Sequence, residues 1–297
     1  MSANWLEFLG SIGMLITTCV ALIVSLIYIV VITLPQHRNL SLSSLLASNT
    51  FLSAAVYSSA HFAIAISTLR GDIAVVNAVR YPLYNPFCMS SAFVFYCGCG
   101  LMYYSYVMEA VQRFARIVLY DHRWLYRRRI QLLFIVLQWI FCIVGTFIPL
   151  ATTNQLRYDL HMNMCIIPIR SSGWTMYYAI FCYTIPLVLL ATIYHRLIRY
   201  ILTVRSRVSA CLISGSVIVT AQRQLSMIQR VIILVSILII SGLPYCVFIF
   251  IGFWTDPPVY QFRISFLCVD IALVSVVCTM FWHNRDIAQL RTFRDET

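Results

Sequence analysis

The chain has 297 residues, 61% of them hydrophobic and 10% charged, with a formal net charge of +11. Soluble domains carry about a quarter charged residues. This composition therefore lacks the polar surface that a water-soluble chain of such length requires, and lipid is its natural solvent. The positive balance does not mark a nucleic-acid protein, because the arginines lie between apolar stretches and form no single basic domain.

A spanning helix takes about 20 mostly apolar residues. Runs free or nearly free of charge cover residues 8–34, 40–69, 81–108, 130–156, 171–194, 231–255 and 264–282, the second interrupted by His61 and the last by Asp270. In hydrocarbon the backbone must bond within its own segment, so such runs are helices, and the alternating ten-residue segments of a membrane barrel are absent. The expected architecture is an all-α membrane protein: one seven-transmembrane helix bundle over residues 1–297, with helices at about 8–34, 42–68, 86–119, 130–151, 173–200, 224–252 and 261–283 and a short cytoplasmic eighth helix at about 285–294. The first run is too long for a signal-peptide core and is taken as helix 1.

All 21 basic residues are arginine. With seven spans, Arg70, Arg80, Arg157, Arg170 and Arg263 fall on one side and the other 16 on the opposite side. Positive charge marks the cytoplasmic face, so the N-terminus is expected outside a plasma membrane and the C-terminus inside. The run Arg127–Arg128–Arg129 serves as this topology signal and attracts lipid phosphate; contact with an acidic cytoplasmic partner is the alternative. Most of the 11 cysteines read as small core residues. Cys88 and Cys165 fall near the outer face, an oxidising compartment. A bridge there would tie the loop after helix 4 onto helix 3; two free thiols are the other possibility.

Further landmarks follow in order. Arg113 lies 25 residues after Cys88, in Gln112–Arg113–Phe114 at the cytoplasmic end of helix 3. Trp139 and Pro149 lie in helix 4, Pro186 and Tyr194 in helix 5, and Pro244 in helix 6 within Ser241–Gly242–Leu243–Pro244. Over nearly the whole chain this set resembles the rhodopsin-like family of G-protein-coupled receptors. The resemblance implies a receptor that passes an extracellular ligand signal to a heterotrimeric G protein, and a Cys88–Cys165 disulfide. It also implies a switch in which Arg113 and Tyr194 rearrange when the cytoplasmic face opens. The departures are specific. The family's Asp-Arg-Tyr reads Gln112–Arg113–Phe114, its helix-6 tryptophan is Gly242, and its helix-7 Asn-Pro-x-x-Tyr falls on Val276, Val277 and Met280, a register anchored by His283–Asn284–Arg285–Asp286. Neither a helix-2 aspartate near Ser53 or Ala54 nor a helix-1 asparagine near Ser25 is present, so the family's sodium pocket is missing.

An ionised residue in a membrane is costly and is usually paired or functional. Glu109 lies one turn before Arg113 and is placed to substitute for the acid missing at Gln112; otherwise it faces water or a neighbouring polar group. Pro149, Pro186 and Pro244 kink their helices. Gly242 beside Pro244 adds freedom for a helix-6 pivot, against which stands a static packing kink. By the family register the ligand pocket is lined by Phe95, Tyr96, Cys99, Tyr178, Cys182, Tyr245, Ile249 and Asp270. The amine receptors' aspartate falls on Phe95, which argues against a biogenic amine. The retinal-binding lysine falls on Asp270, and a chain without lysine forms no such Schiff base. Asp270 would stay neutral if buried and unpaired. A cationic ligand or Arg263 would keep it ionised.

The rival readings are a multi-pass transporter or channel and an intramembrane enzyme. The first lacks an internal repeat or a ring of charges. The second lacks a nucleophile with its base, paired acids or a metal cluster. The six histidines are scattered, and His61 and His195 read as polar edge residues rather than ligands. No enzyme activity, cofactor, metal or nucleic-acid partner is expected; membrane lipid is.

Overall fold

The computed structural model describes residues 5–33, 42–76, 86–119, 127–153, 157–159, 164–167, 173–210, 233, 236–252, 254–255 and 261–295. Helix α1 spans Trp5–Thr33, α2 Leu42–Val76, α3 Pro86–Val118 and α4 Arg128–Thr153. Strands β1 (Arg157–Asp159) and β2 (Met164–Ile166) pair antiparallel, Tyr158 opposite Cys165. Helix α5 covers 173–210 in three parts: α-helical Gly173–Tyr178, a π-helical segment Ala179–Thr184, and α-helical Ile185–Ala210. Helix α6 is Ser236–Gly252 and α7 is Gln261–Asp295. Five of these helices contain stretches long and apolar enough to cross a membrane: Phe8–Val31, Ser44–Ile73, Arg128–Ile148, Gly173–Thr203 and Arg263–Trp282. The 33 residues of α3 carry Glu109, Arg113 and Arg116 towards one end, and α6 is a shorter apolar helix.

Boundaries differ from the sequence reading in three places, one of them α5, which continues from the expected end at about 200 to Ala210. Helix α2 continues two turns beyond residue 68, through Arg70 and Asp72 to Val76. Asp72 is accommodated there because an arginine from another helix meets it. Helix α7 runs unbroken to Asp295, where a separate eighth helix at 285–294 was expected. The expected 224–235 part of helix 6 lies outside the described residues, as do the side chains of Cys88, Pro149 and His283–Asp286.

Several hydroxyl residues sit within these helices because they find an internal acceptor. Thr18, Ser25, Ser53, Ser58 and Thr68 each donate to the carbonyl four residues back, at 2.7–2.9 Å. A hydroxyl satisfied this way needs no water. Helix α2 packs against α1, α3, α4 and α7, and α3 against α2, α4 and α5, so these two form the hub. Small residues allow the approach. A Cβ added to Gly98 would stand 2.9 Å from the Tyr57 Cα, so the α2 and α3 backbones touch there. The β1–β2 hairpin rests on α2 and α3, with Met164, Cys165 and Ile167 buried. It marks one end of the bundle, the hairpin end. On α4, Leu133, Val136, Leu137, Ile140 and Phe147 stay exposed; an apolar face of this extent is a lipid-facing one.

Candidate functional site

From the hairpin end inward, the bundle interior holds four polar or aromatic levels. At the first level, Arg263 of α7 donates from Nη2 to Asp72 Oδ1 at 2.7 Å and from Nη1 to Oδ2 at 2.8 Å. Ser11 of α1 completes the knot: its hydroxyl donates to Asp72 Oδ2 at 2.7 Å and accepts from Arg263 Nη1 at 2.9 Å. The arginine and aspartate side chains are only 4% and 9% exposed. The expectation that Arg263 could neutralise Asp270 is thus corrected: its two donor nitrogens are turned to Asp72, with the geometry that makes arginine–carboxylate pairs strong.

At the second level, His61 Nδ1 of α2 lies 2.7 Å from Asp270 Oδ1 of α7, both side chains 0% exposed. The two side chains are each other's nearest polar neighbours, and the Thr17 hydroxyl of α1 is also turned to the Asp270 carboxyl. Aromatic rings wall the imidazole: Phe95 at 4.9 Å, Phe266 at 5.1 Å and Tyr57 at 5.8 Å between centroids. Reading His61 as a polar edge residue is therefore wrong. Its signal was present in the sequence as the one basic side chain interrupting an otherwise apolar run.

Beside this couple, most of the expected pocket residues come together. Phe95 meets Tyr96 at 5.4 Å, and Tyr96 meets Tyr178 at 4.8 Å. Cys182 Sγ donates to the Tyr96 carbonyl at 3.6 Å, with Cys99 and Tyr245 alongside. Tyr178 anchors itself by donating to the Thr146 carbonyl at 2.9 Å. The Ile167 N–H reaches the Tyr96 hydroxyl at 3.4 Å, tying the hairpin to α3. Ile249 is buried in α6. Asp270 stands apart, turned to His61.

The third level explains α5 and Gly242. Pro186 lacks an N–H and crowds the carbonyl four residues back, at Cys182, and the turn before it opens into the π segment Ala179–Thr184. Tyr183 in that segment reaches α6, its hydroxyl donating to the Leu238 and Ile239 carbonyls at 3.2 and 3.1 Å. Its ring also meets Tyr103 edge-on at 5.6 Å. A Cβ on Gly242 would overlap the Tyr183 ring. Glycine at 242 is thus a packing requirement: the tyrosine from α5 occupies the space that a side chain at 242 would fill. Across the hub, Asn49 donates to Gln138 Oε1 at 3.2 Å and accepts from Trp139 Nε1 at 2.9 Å, while Gln138 donates to the Leu101 carbonyl at 2.9 Å.

At the fourth level, Glu109 is held from two sides. Thr50 of α2 donates to Oε1 at 2.7 Å, and Arg113 donates from Nη2 to Oε2 at 3.3 Å. Tyr194 of α5 is buried beside Arg113. Gln112 is buried, with no hydrogen-bond partner for Nε2 among the described residues, and Phe114 packs against the core. Val276, Val277 and Met280 are also core. Cys165 is 1% exposed and is not a free thiol. Among the described residues no group of three or more histidine, cysteine or acidic side chains could hold a metal ion.

The comparisons with known proteins concern fold. The crystal structure of squid rhodopsin superposes with a TM-score of 0.73 at 12% sequence identity, covering 92% of this chain and 81% of that one. No protein-family model and no curated protein matches the sequence. The chain has a rhodopsin-like fold, and its apolar helices make it a multi-pass membrane protein.

The Asp72–Arg263 pair yields a stability prediction. Removing one member of a buried pair strands its partner's charge and costs about 3–5 kcal/mol. Asp72→Ala should therefore lower the unfolding temperature of the purified protein markedly, and adding Arg263→Met should restore much of the loss. An Asp72→Ala protein that melts like the wild type would show that the pair contributes nothing.

Proposed function

We propose that this protein is a rhodopsin-like G-protein-coupled receptor with its hairpin end outside the plasma membrane, its N-terminus extracellular, and its arginine-rich face towards a heterotrimeric G protein. The observation that carries this reading is the Thr50–Glu109–Arg113 arrangement with Tyr194 beside it, at the end of α3 opposite the hairpin, in a chain of rhodopsin-like fold. Arg113 takes the place of the family's switch arginine. Glu109, one turn back, supplies the restraining carboxylate that Gln112 cannot. Release of Arg113 towards Tyr194 opens the face for the partner. The pivot is Pro244, and the Tyr183 hydroxyl on the two α6 carbonyls before it sets the resting position of that helix. The ligand site is the cluster of Phe95, Tyr96, Cys99, Tyr178, Cys182, Tyr245 and Ile249, which is aromatic and thiol-lined and suits an apolar ligand. Asp270 is turned to His61 and contributes no free carboxylate to it; with Phe95 in the place of the amine receptors' aspartate and no lysine in the chain, neither a biogenic amine nor retinal is the expected ligand.

The topology reading pairs Cys165 with Cys88 in an extracellular disulfide that clamps the hairpin onto α3. Peptide mapping of non-reduced protein should recover the two cysteines in one linked peptide, and Cys165→Ala should lower surface expression, since such a bridge contributes roughly 2–4 kcal/mol. Two alkylatable thiols at these positions would contradict it.

The switch is tested with a G-protein reporter at matched surface expression. Glu109→Gln should raise basal signalling a few-fold, because polar couplings inside membranes average only about 0.6 kcal/mol. Arg113→Ala should abolish coupling, alone or combined with Glu109→Gln. Unchanged basal activity in Glu109→Gln, with the two substitutions acting additively, would exclude the pair as the restraint.

A further inference from the structure

We propose that Cys99 of α3 and Cys182 of α5 hold a soft monovalent metal ion, Cu(I), between their two sulfurs. The proposal goes beyond the receptor reading and does not depend on it, although the pair lies in the cluster assigned above to the ligand. It starts from geometry. Both cysteines are free, and their thiols meet within hydrogen-bonding distance across two helices. Cys182 is 4% exposed and Cys99 half-buried, and the Cys182 thiol also reaches the Tyr96 carbonyl at 3.6 Å. One buried cysteine is an ordinary small core residue. Two thiols turned on one another from separate helices are a chelating pair as well.

The backbone supplies both the meeting and the room. Cys182 stands in the π segment Ala179–Thr184, whose wider turn rotates the side chains of α5 relative to a plain α-helix. On α3, Gly100 follows Cys99. A Cβ added to Gly100 would have Cys182 Sγ at 3.6 Å and Cys142 Sγ at 3.7 Å as its nearest neighbours outside its own stretch of helix. Those are ordinary van der Waals separations. A methyl-sized space therefore adjoins the Cys182 sulfur. It lets that sulfur turn through a change of rotamer when an ion enters between the pair.

The donor set selects the ion. Sulfur ligands favour soft ions, Cu(I) among them, over magnesium, calcium and manganese, which take oxygen. Coordination number narrows the choice further. A structural zinc ion takes four ligands in a tetrahedron. Among the described residues no group of three or more histidine, cysteine or acidic side chains is placed to hold a metal. Two sulfurs are too few for zinc. They suffice for Cu(I), whose filled d shell imposes no larger coordination number and accepts a linear pair.

Charge points the same way, because an uncompensated charge in a dry site is strongly disfavoured. A bound metal deprotonates a coordinating thiol. Here Cu(I) takes the place of the Cys99 proton: the S–H bond breaks, a copper–sulfur bond forms, and the proton leaves to water. Cys182 binds through a sulfur lone pair and keeps its own proton, which the Tyr96 carbonyl still accepts. No electron changes hands. One positive charge enters as one leaves, so the site is as neutral afterwards as before. A divalent ion would have to expel both protons to reach the same balance. Tyr103 lies beside Cys99, and Tyr245 lies beside both sulfurs; aromatic faces attract a cation further.

The test uses the full chain in lipid nanodiscs without any G protein, under anaerobic ascorbate, with Cu(I) alone as the probe, buffered by bicinchoninate. The wild-type protein should retain one Cu(I) against the chelator, and X-ray absorption should show a first shell of two sulfurs. Cys99→Ser and Cys182→Ser should each weaken binding by more than the roughly hundredfold that losing a supporting partner costs a metal site. Cys97→Ser, on the α4 side of α3, should leave it unchanged. Undiminished affinity in folded Cys99→Ser or Cys182→Ser overturns the proposal. Should those variants not fold, the wild-type measurement decides alone: copper surrendered to the chelator, or a first shell of nitrogen or oxygen, overturns it. With no G protein in the sample, such a result removes the metal site and leaves the receptor reading standing.

Discussion

A polar side chain inside a lipid-embedded bundle has no water to turn to, and so must find its partner within the protein. Helix α2 meets this constraint at three depths. Thr50 bonds Glu109 of α3, His61 contacts Asp270 of α7, and Asp72 pairs with Arg263 of α7. The three positions are 11 residues apart. At 3.6 residues per turn, 11 residues are close to three whole turns, so successive members drift by only about 20° and lie about 16 Å apart along the axis. They form one stripe along α2, which the close α2–α3 approach at Gly98 brings against its neighbours. The arrangement of α1, α3 and α7 around α2 follows from the need to supply those partners.

The second organising feature is the proline in α5. Its missing N–H coincides with a π segment, and the segment sends Tyr183 across to α6. That single side chain joins α3, α5 and α6 at the depth where Gly242 leaves room for it. A bulky residue at 242 and a tyrosine at 183 could not coexist in this packing. The glycine and the tyrosine are therefore one device, although they lie 59 residues apart.

Much of this was legible in the sequence, since hydrophobic run length carries helices in a membrane protein with little ambiguity. The positions of α1 and α4 follow the apolar runs closely, while α3 and α5 continue past theirs into arginine-bearing turns, α5 as far as Ala210. The end of α2 did not, because Arg70 and Asp72 read as loop residues, and only a partner on α7 makes Asp72 tolerable inside a helix. Glu109 and Arg113 were visible as an i, i+4 pair; Thr50 was not, because a hydroxyl at a helix-compatible position gives no sign of its cross-helix partner. His61 and Asp270 were each visible as the odd polar residue in an apolar run. What the sequence withheld was that they face one another, and pairing between helices 209 residues apart has no local signature. Gly242 was read as a hinge because glycine is conformationally free, while its contact with Tyr183 depends on how α5 and α6 pack.

The proposed receptor function rests on a rhodopsin-like fold with Arg113 at its arginine-rich face, and it requires that this face engage a G protein. The most direct measurement is association of the purified protein, in lipid nanodiscs, with heterotrimeric G proteins of each class, with and without guanine nucleotide. The account predicts a complex with at least one class that is stable in the nucleotide-free state and falls apart when a non-hydrolysable GTP analogue is added, and that Arg113→Ala prevents it from forming. Folded protein that binds none of the classes, or that binds equally well with and without nucleotide, would contradict it.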